Sequence, residues 1–235
     1  LWTAFSDTLH PSFQSRPRTW SDYNAFMSAN LSRSGVYLTA DMAIQGAAVV
    51  APYQITRGSL ISVANEIANG VGKSDISLGT LALDEETTVA DFSTAVVNNN
   101  ADYAYGDQIS CFILEQQVDS VTGVPHVRVR AYELTLDGNS QDILAEVVSA
   151  EAFSVVDNKL GTGASINGGF AYVHSRKANG KTIVSTQEIV VANSILATYQ
   201  SDTMRDAAIA SYGGKTSNDF LTPNLDDVVA ATPNP

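Results

Sequence analysis

The feature that most constrains the fold of this chain is a β-hairpin signal between Gly169 and Val191. Two strand-like runs flank Asn179-Gly180, a dipeptide that suits a two-residue type I′ turn because both of its positions need a positive φ. It is the longest hairpin signal in the sequence. We therefore take it as the framework around which the domain is organised.

Pairing the hairpin outward from its turn predicts both register and faces. Arg176 is expected opposite Ile183, and further from the turn Tyr172 opposite Gln187 and Phe170 opposite Ile189. The face that carries Arg176 also carries Phe170, Tyr172, His174, Ile183, Ser185, Gln187 and Ile189, and the other face carries Ala171, Val173, Ser175, Lys177, Thr182, Val184, Thr186 and Glu188. The sequence predicts a hairpin with apolar roots in the core and a charged tip.

The tip is the one local basic patch that the pattern singles out. It holds Arg176, Lys177 and Lys181, close to the Asn179-Gly180 turn. Charged loop tips are usually just solvated. Alternatively, these three cations form an interaction patch that meets an acidic surface, for instance on a neighbouring copy. Both interpretations stay open at this point.

Charge and hydropathy exclude some partners. The 235 residues carry a formal net charge of −12, which opposes binding to nucleic-acid phosphates or anionic membranes over most of the surface. Nothing in the sequence approaches the roughly 18 consecutive apolar residues of a membrane-spanning helix. We expect no direct nucleic-acid partner and no transmembrane segment.

Short strand-like runs at regular spacing predict a mainly β (α+β) fold, with a β-sandwich-like domain. The runs cover residues 36–38, 47–50, 54–56, 60–63, 76–83, 108–118, 126–136, 143–148 and 153–156. The run at 108–118 is apolar on both faces in its middle, as expected of a central strand covered on both sides. Four glycines between Gly161 and Gly169 predict a loop that leads into the hairpin.

Helical signals surround this β-rich region. Residues 1–9 and 20–31 predict an N-terminal helical pair, the second with Trp20, Tyr23, Phe26, Met27 and Leu31 on its buried stripe. A capping box at Thr88 and Asp91 predicts a helix over 89–98, and 201–214 predict a C-terminal helix. The resulting organisation is an N-terminal helical segment (1–34), a β-rich core domain (35–214) and an extended C-terminal arm (215–235).

Motifs that carry chemistry are largely missing from the sequence. The triplets Gly180-Lys181-Thr182 and Gly214-Lys215-Thr216 have Ser175 and Ile209 where a phosphate-binding loop needs glycine. His10, His126 and His174 lack metal-ligand spacing. Cys111 lies in an apolar run and is expected to be a buried, inert thiol. The sequence thus predicts no catalytic, cofactor-binding or metal-binding residues.

Four stretches together resemble an uncharacterised family of proteins from Bacteroidota and their gut metagenomic relatives. They are Trp20-x-x-Tyr23-Asn24-Ala25-Phe26-Met27-x-x-Asn30, Arg57-Gly58-Ser59-Leu60, the run from Ser175-Arg176-Lys177 to Val184-Ser185-Thr186-Gln187, and Ala207-x-x-x-x-Tyr212-Gly213. The resemblance implies a helical pair followed by a β-sandwich-like half, with a glycine-rich segment ahead of the first helices. It transfers no active-site residue.

Three functional hypotheses follow. The first is a non-enzymatic structural subunit that self-associates or binds protein partners, such as a bacteriophage virion or extracellular surface-assembly component. The second is a surface module that binds glycans or other ligands by stacking on tyrosines, for which the candidates are Tyr103, Tyr105, Tyr132 and Tyr172. The third is a hydrolase whose site joins His174 or His126 to acidic side chains in a pocket.

Overall fold

The structure, a computed structural model, describes residues 12–13, 21–31, 33, 50–118, 125–192 and 203. These residues form a mainly β protein with several antiparallel sheets, as the sequence predicts. The helices are α1 (Asp22–Asn30), α2 (Val89–Asn99) and α3 (Leu144–Val147). The strands are β1 (Gln54–Thr56), β2 (Asn65–Ala68), β3 (Val71–Ser77), β4 (Gln108–Val118), β5 (Pro125–Thr135), β6 (Ser154–Val156), β7 (Lys159–Ser165), β8 (Gly168–Ala178), β9 (Lys181–Val184), β10 (Gln187–Glu188) and β11 (Val190–Val191).

Two sheets dominate the architecture. The larger has the order β11-β8-β4-β5, and β9 also pairs with β8. The smaller has the order β2-β3-β7-β6, and a further two-stranded sheet joins β1 to β10. Strand β4 pairs along its whole length with β5 on one side and over eight residues with β8 on the other.

The central position of β4 follows from its side chains. Ile109, Cys111 and Ile113 point into one hydrophobic core, whereas Phe112 and Leu114 point into another. Successive side chains of a strand face opposite ways, so an unbroken apolar run needs a covering on both faces. The prediction of a central, doubly covered strand is confirmed.

The first core joins the two large sheets. It combines Ile76 of β3 and Leu160 of β7 with Tyr172 of β8, and Phe92 of α2 packs into it. The second core lies on the opposite face of the larger sheet, where Phe26 of α1 meets buried side chains of β4 and β8. Each fully buried aromatic or aliphatic side chain contributes roughly 1.5–3 kcal/mol relative to exposure.

Helix α2 begins where the sequence predicts. The Thr88 hydroxyl accepts a hydrogen bond from the Asp91 backbone N–H at 3.1 Å, and the Asp91 carboxylate accepts one from the Thr88 backbone N–H at 3.0 Å. This reciprocal capping box satisfies two backbone donors that a helix leaves unpaired at its start. Val89 and Phe92 then turn inward and are buried.

The buried stripe of α1 differs from the prediction. The helix begins after Ser21, whose hydroxyl caps it, and Phe26 is buried as predicted. Tyr23 and Leu31 are exposed, however, and the polar Asn30 is buried. The Asn30 side chain accepts a hydrogen bond from the Gln54 backbone N–H (2.7 Å) and donates one to the Gln54 carbonyl (3.0 Å). A buried amide that binds β1 therefore sets the rotation of the helix, which apolar periodicity cannot reveal.

The predicted strand at 143–148 is wrong, because this segment forms α3. Its two buried apolar residues, Leu144 and Val148, are four apart, which places them on one side of a helical turn. The backbone N–H of Val148 donates to the Leu144 carbonyl at 2.9 Å. Between them Ala145, Glu146 and Val147 are exposed.

The predicted loop between Gly161 and Gly169 is also wrong. Most of it belongs to β7 and to the start of β8. A Cβ on Gly161 would lie 2.6 Å from the Gly72 carbonyl oxygen, and one on Gly163 would lie 2.4 Å from that of Ala150. Here glycine marks the close approach of another backbone to β7, from β3 at Gly161 and from the segment after α3 at Gly163, rather than a flexible connection.

Two further strand boundaries need correction. Only Ile76 and Ser77 of the predicted 76–83 run lie in a strand, because β3 begins at Val71 after the Asn69-Gly70 turn. The predicted 60–63 strand is absent from the described residues. There the Gln187 side-chain amide bonds both the N–H and the carbonyl of Val63 at 2.8 Å, in place of a strand neighbour.

The hairpin departs from simple pairing at its root. Arg176 lies opposite Ile183 as predicted, but Phe170 lies opposite Val190 rather than Ile189. The predicted Tyr172–Gln187 pair is wrong, because β10 leaves β8 and pairs with β1, where Gln187 lies opposite Thr56. The predicted faces of β8 are nevertheless correct, with Tyr172 in the first core and Val173 in the second.

Several predictions fall wholly or mostly outside the described residues. They concern the helices at 1–9 and 201–214, the strands at 36–38 and 47–50, and the arm at 215–235. The predicted domain boundaries at 34 and 214 stay predictions for the same reason.

Candidate functional site

The hairpin tip has the predicted turn. Asn179 and Gly180 have φ values of 52° and 73°, as both central positions of a type I′ turn require. Lys177 and Lys181 on either side of the turn are exposed, and neither forms an ion pair with another described residue. Lys177 lies opposite Thr182 and Lys181 opposite Ala178, so the two lysines project from opposite faces of the hairpin.

Arg176, the third member of the predicted patch, has a partner within the same chain. Its Nε donates to Asp107 Oδ1 and its Nη2 to Asp107 Oδ2, both at 2.6 Å, and Nη2 also donates to the Asp102 carbonyl at 2.8 Å. The Asp107 hydrogen bond raises the pKa of Arg176. A guanidinium held by both carboxylate oxygens is engaged in a bidentate pair, so the exposed patch consists mainly of Lys177 and Lys181.

His174 completes this network from the strand interior. Its Nε2 lies 2.9 Å from Asp107 Oδ2, and its ring stacks on Tyr103 with centroids 4.1 Å apart. Burial lowers the pKa of His174, and the hydrogen bond to Asp107 only partly offsets that effect. Burial alone would raise the pKa of Asp107, but hydrogen bonds from Arg176 and His174 outweigh it and keep the pKa below its ordinary value.

The hydrolase hypothesis requires a histidine and an acid in a pocket that a substrate can enter. His174 and Asp107 do form the required hydrogen bond, but each side chain is only 2% exposed. A substrate cannot reach a pair that is closed from solvent. The network instead ties the segment before β4 to β8 as an internal crosslink.

A second charged cluster, which the sequence does not single out, joins β4, β5 and the segment after α3. The Arg130 guanidinium forms ion pairs with both Glu115 and Glu151, and the Tyr132 hydroxyl donates to Glu151 at 2.7 Å. Arg130 and Glu115 are near neighbours on adjacent strands. Glu115 and Arg130 are 15 residues apart in sequence, so they become visible as a pair only once the β4–β5 register is known.

The acidic side chains before α2 serve its turn and cap. Asp84 accepts hydrogen bonds from the Thr87 hydroxyl (2.7 Å) and the Glu86 backbone N–H (3.1 Å), and these bonds lower the pKa of Asp84. No cluster of three or more potential metal ligands occurs among the residues that the structure describes. Cys111 is fully buried, which raises the pKa of its thiol, as expected for an inert cysteine.

The four candidate tyrosines do not form one platform. Tyr172 is fully buried and donates to the Ala152 carbonyl, Tyr103 covers His174, and Tyr132 binds Glu151. Tyr105 is 52% exposed. It lies beside a polar groove of about 750 Å³ and contacts two of the residues that line it, Gly138 and Thr94.

A second groove, of about 510 Å³, lies between β5 and α3. It is lined by Ala131, Tyr132 and Glu133 of the strand and by residues 145–149. Three consecutive strand residues point to alternating faces, so a groove that touches all three follows the outer edge of β5. Within the described residues no strand pairs with that edge.

Comparison of the chain with family models, with curated proteins and with solved structures found no match. No helix among the described residues is both long enough and apolar enough to cross a membrane.

Proposed function

We propose that this protein is a non-enzymatic structural subunit that works by associating with copies of itself or with protein partners. The observation that carries the proposal is the open edge of β5. This strand pairs with β4 through all eleven of its residues, from Pro125 to Thr135, while its other side pairs with no strand of the described part of the chain.

An edge strand of this length is a template for association. About half of its backbone N–H and C=O groups point away from β4, and another strand can satisfy them by extending the sheet. Proteins usually blunt such edges with short strands, bulges or coverings. The β4–β5 register runs without a bulge, which supports a role for the edge in assembly.

The fold that presents this edge is best described as a β-sandwich. The first hydrophobic core includes residues of both large sheets, such as Ile76 of β3 and Ile109 of β4, which supports face-to-face packing of the sheets. We further propose that the subunit belongs to a bacteriophage virion or an extracellular surface assembly, a proposal that the sandwich architecture and the resemblance to a Bacteroidota family support.

The decisive experiment measures the mass of the native protein. Light scattering after size exclusion, from low to high micromolar concentration, is expected to show a species larger than one chain, and electron microscopy of the same sample shows its form. The proposal is contradicted if the protein stays monomeric across this range and also binds no other protein from the cells that produce it.

The polar groove beside Tyr105 favours a second candidate, a module that binds glycans or other polar ligands. Its lining combines Thr80, Thr87 and Thr94 with Asp84 and Asn99, and an exposed tyrosine ring lies at its border. Sugars bind such polar grooves through hydroxyl hydrogen bonds and stack on aromatic rings. A glycan array with the wild type and a Tyr105→Ala variant tests this candidate, because specific binding must weaken in the variant.

A further inference from the structure

We propose that the groove between β5 and α3 receives the β8–β9 hairpin tip of a second copy of this chain. The inference rests on the proposed function, because it assigns the surfaces through which self-association takes place. It also names a partner chemistry, a short β-turn flanked by two lysines.

The first argument is the position of the charges around the groove. Glu133 lies on the β5 face that belongs to the second core, since it is two residues from Ala131 and four from Val129. Glu146 is exposed on α3, which lies on the side of the first core. A carboxylate therefore stands on each side of the sheet plane beside the groove, and that of Glu133 also accepts a hydrogen bond from the Ser110 hydroxyl at 3.4 Å.

The second argument is the matching arrangement at the tip. Lys177 and Lys181 project from opposite faces of the hairpin and have no ion-pair partner among the described residues. When the tip enters the groove, one lysine faces the Glu133 wall and the other faces the Glu146 wall. Charges placed in this way set both the orientation and the register of the contact.

The third argument is the shape of the two surfaces. Asn179 and Gly180 form a two-residue turn, the shortest common hairpin loop, and a Cβ on Gly180 would meet nothing within 4 Å. The groove exposes the β5 edge on one wall and the half-exposed Val147 on the other. The hairpin backbone can thus bond to the edge by β-augmentation while the lysine stems cover Val147.

The contact is head to tail. Within the larger sheet, the strands of the tip (β8 and β9) and the strand of the groove (β5) lie on either side of β4, towards opposite edges of the sheet. Because the two surfaces differ, a head-to-tail pair still has one free groove on the copy that gave its tip and one free tip on the copy that received it. Association therefore continues to a closed ring or a filament rather than stopping at a symmetric dimer.

The test uses charge reversal on each surface and then a mixture. K177E/K181E reverses the charge of the tip, and E133K/E146K reverses the charge of the groove. Each variant alone is expected to associate at least about tenfold more weakly than the wild type, because like charges then meet. An equimolar mixture of the two is expected to recover wild-type assembly, since an acidic tip again meets a basic groove. Native mass spectrometry reports both quantities. R57E/K159E, which makes the net charge more negative by the same amount as K177E/K181E but at other sites, serves as the control for the tip variant and is expected to assemble like the wild type.

The outcomes separate this inference from the proposed function. If the wild type assembles and both reversals assemble equally well, the tip-to-groove contact is wrong while the assembly role stands. If the reversals weaken assembly and the mixture does not restore it, the two surfaces do not meet each other and the inference is again wrong. If the wild type is monomeric, the tip-to-groove contact is wrong, and the proposed function fails as well if the protein also binds no other protein. Circular dichroism must show that both variants are folded, as expected for exposed side chains.

Discussion

The Asp107 carboxylate is the residue on which the buried network depends. It accepts hydrogen bonds from Arg176, His174 and the Ala104 backbone N–H, and it has only 2% of its side chain exposed. A buried charge is tolerated when every lone pair has a donor, and its removal leaves those donors without a partner. The network thus stabilises the fold, and loss of the Asp107 carboxylate is expected to disrupt all of it.

Asp107→Asn is expected to lower the free energy of unfolding by about 2–4 kcal/mol, because it leaves the Arg176 guanidinium without its counter-charge. Urea unfolding followed by circular dichroism measures the loss. Asp102→Asn provides a matched control, since Arg176 bonds only the backbone carbonyl of Asp102 and the side chain is exposed. An equal effect of the two substitutions contradicts the role given to Asp107.

His174 makes the stability of the protein sensitive to mild acid. Because its pKa is lower in the folded chain than its ordinary value of 6.5, the unfolded chain binds more protons between the two pKa values. The free energy of unfolding therefore falls as the pH decreases through about 6.5 toward the folded-state pKa. Asp107, whose pKa is lowered, stays charged across this window, and Arg176 and Asp102 are the other charged groups that act on the ring.

His174→Gln tests this pH dependence, since the glutamine amide can donate to Asp107 but does not titrate. The variant is expected to show a shallower fall in the free energy of unfolding between about pH 7 and pH 5 than the wild type. Unfolding curves across this range give the two slopes. Equal slopes mean that other groups cause the acid sensitivity.

Among the secondary-structure elements, β7 shows how closely the sheet backbones approach each other. Gly161 leaves room for both the Gly72 carbonyl and the Val156 side chain, each 2.6 Å from where a Cβ would lie. Such a position tolerates no side chain unless the backbone of a neighbouring strand moves. The position of β7 between β3 and β6 therefore requires glycine at residue 161.

Gly161→Ala is expected to destabilise the fold by about 2 kcal/mol or more, because the new methyl group overpacks the β3–β7–β6 contact. Gly180→Ala at the hairpin turn is the comparison. It has free space around it, so it pays only the left-handed backbone strain of about 1–2 kcal/mol. Thermal unfolding ranks the two variants, and a milder effect at Gly161 contradicts the close approach.

At the scale of the whole molecule, the net charge of −12 acts against any association of identical copies. Lys177 and Lys181 offset this repulsion locally when they meet Glu133 and Glu146. The advantage of the wild type over K177E/K181E is expected to shrink by most of its value between about 0.1 M and 1 M salt, because salt screens exposed pairs. Association constants at both salt concentrations check this, and a difference independent of salt points to a contact without charge pairing.

Local sequence patterns were sufficient to predict the features that depend mainly on residues close together in the chain. The Asn179-Gly180 turn, the Thr88–Asp91 capping box, the alternating faces of β8 and the central position of β4 depend on backbone conformation or on side-chain periodicity, which neighbouring residues determine. The mainly β fold class follows from the same signals.

The tertiary structure decided everything that depends on residues distant in sequence. Asp107 and Arg176 are 69 residues apart, Asn30 and Gln54 are 24 apart, and neither pair has a local signal. The glycines of β7 look like a loop until the Gly72 backbone is seen beside Gly161. Gln187 and Glu188 pair with β1 before the chain returns to β8 at Val190. The cationic tip was visible in the sequence, but only the fold showed that Arg176 is engaged within the chain and that a groove with two carboxylate walls lies at the opposite edge of the sheet.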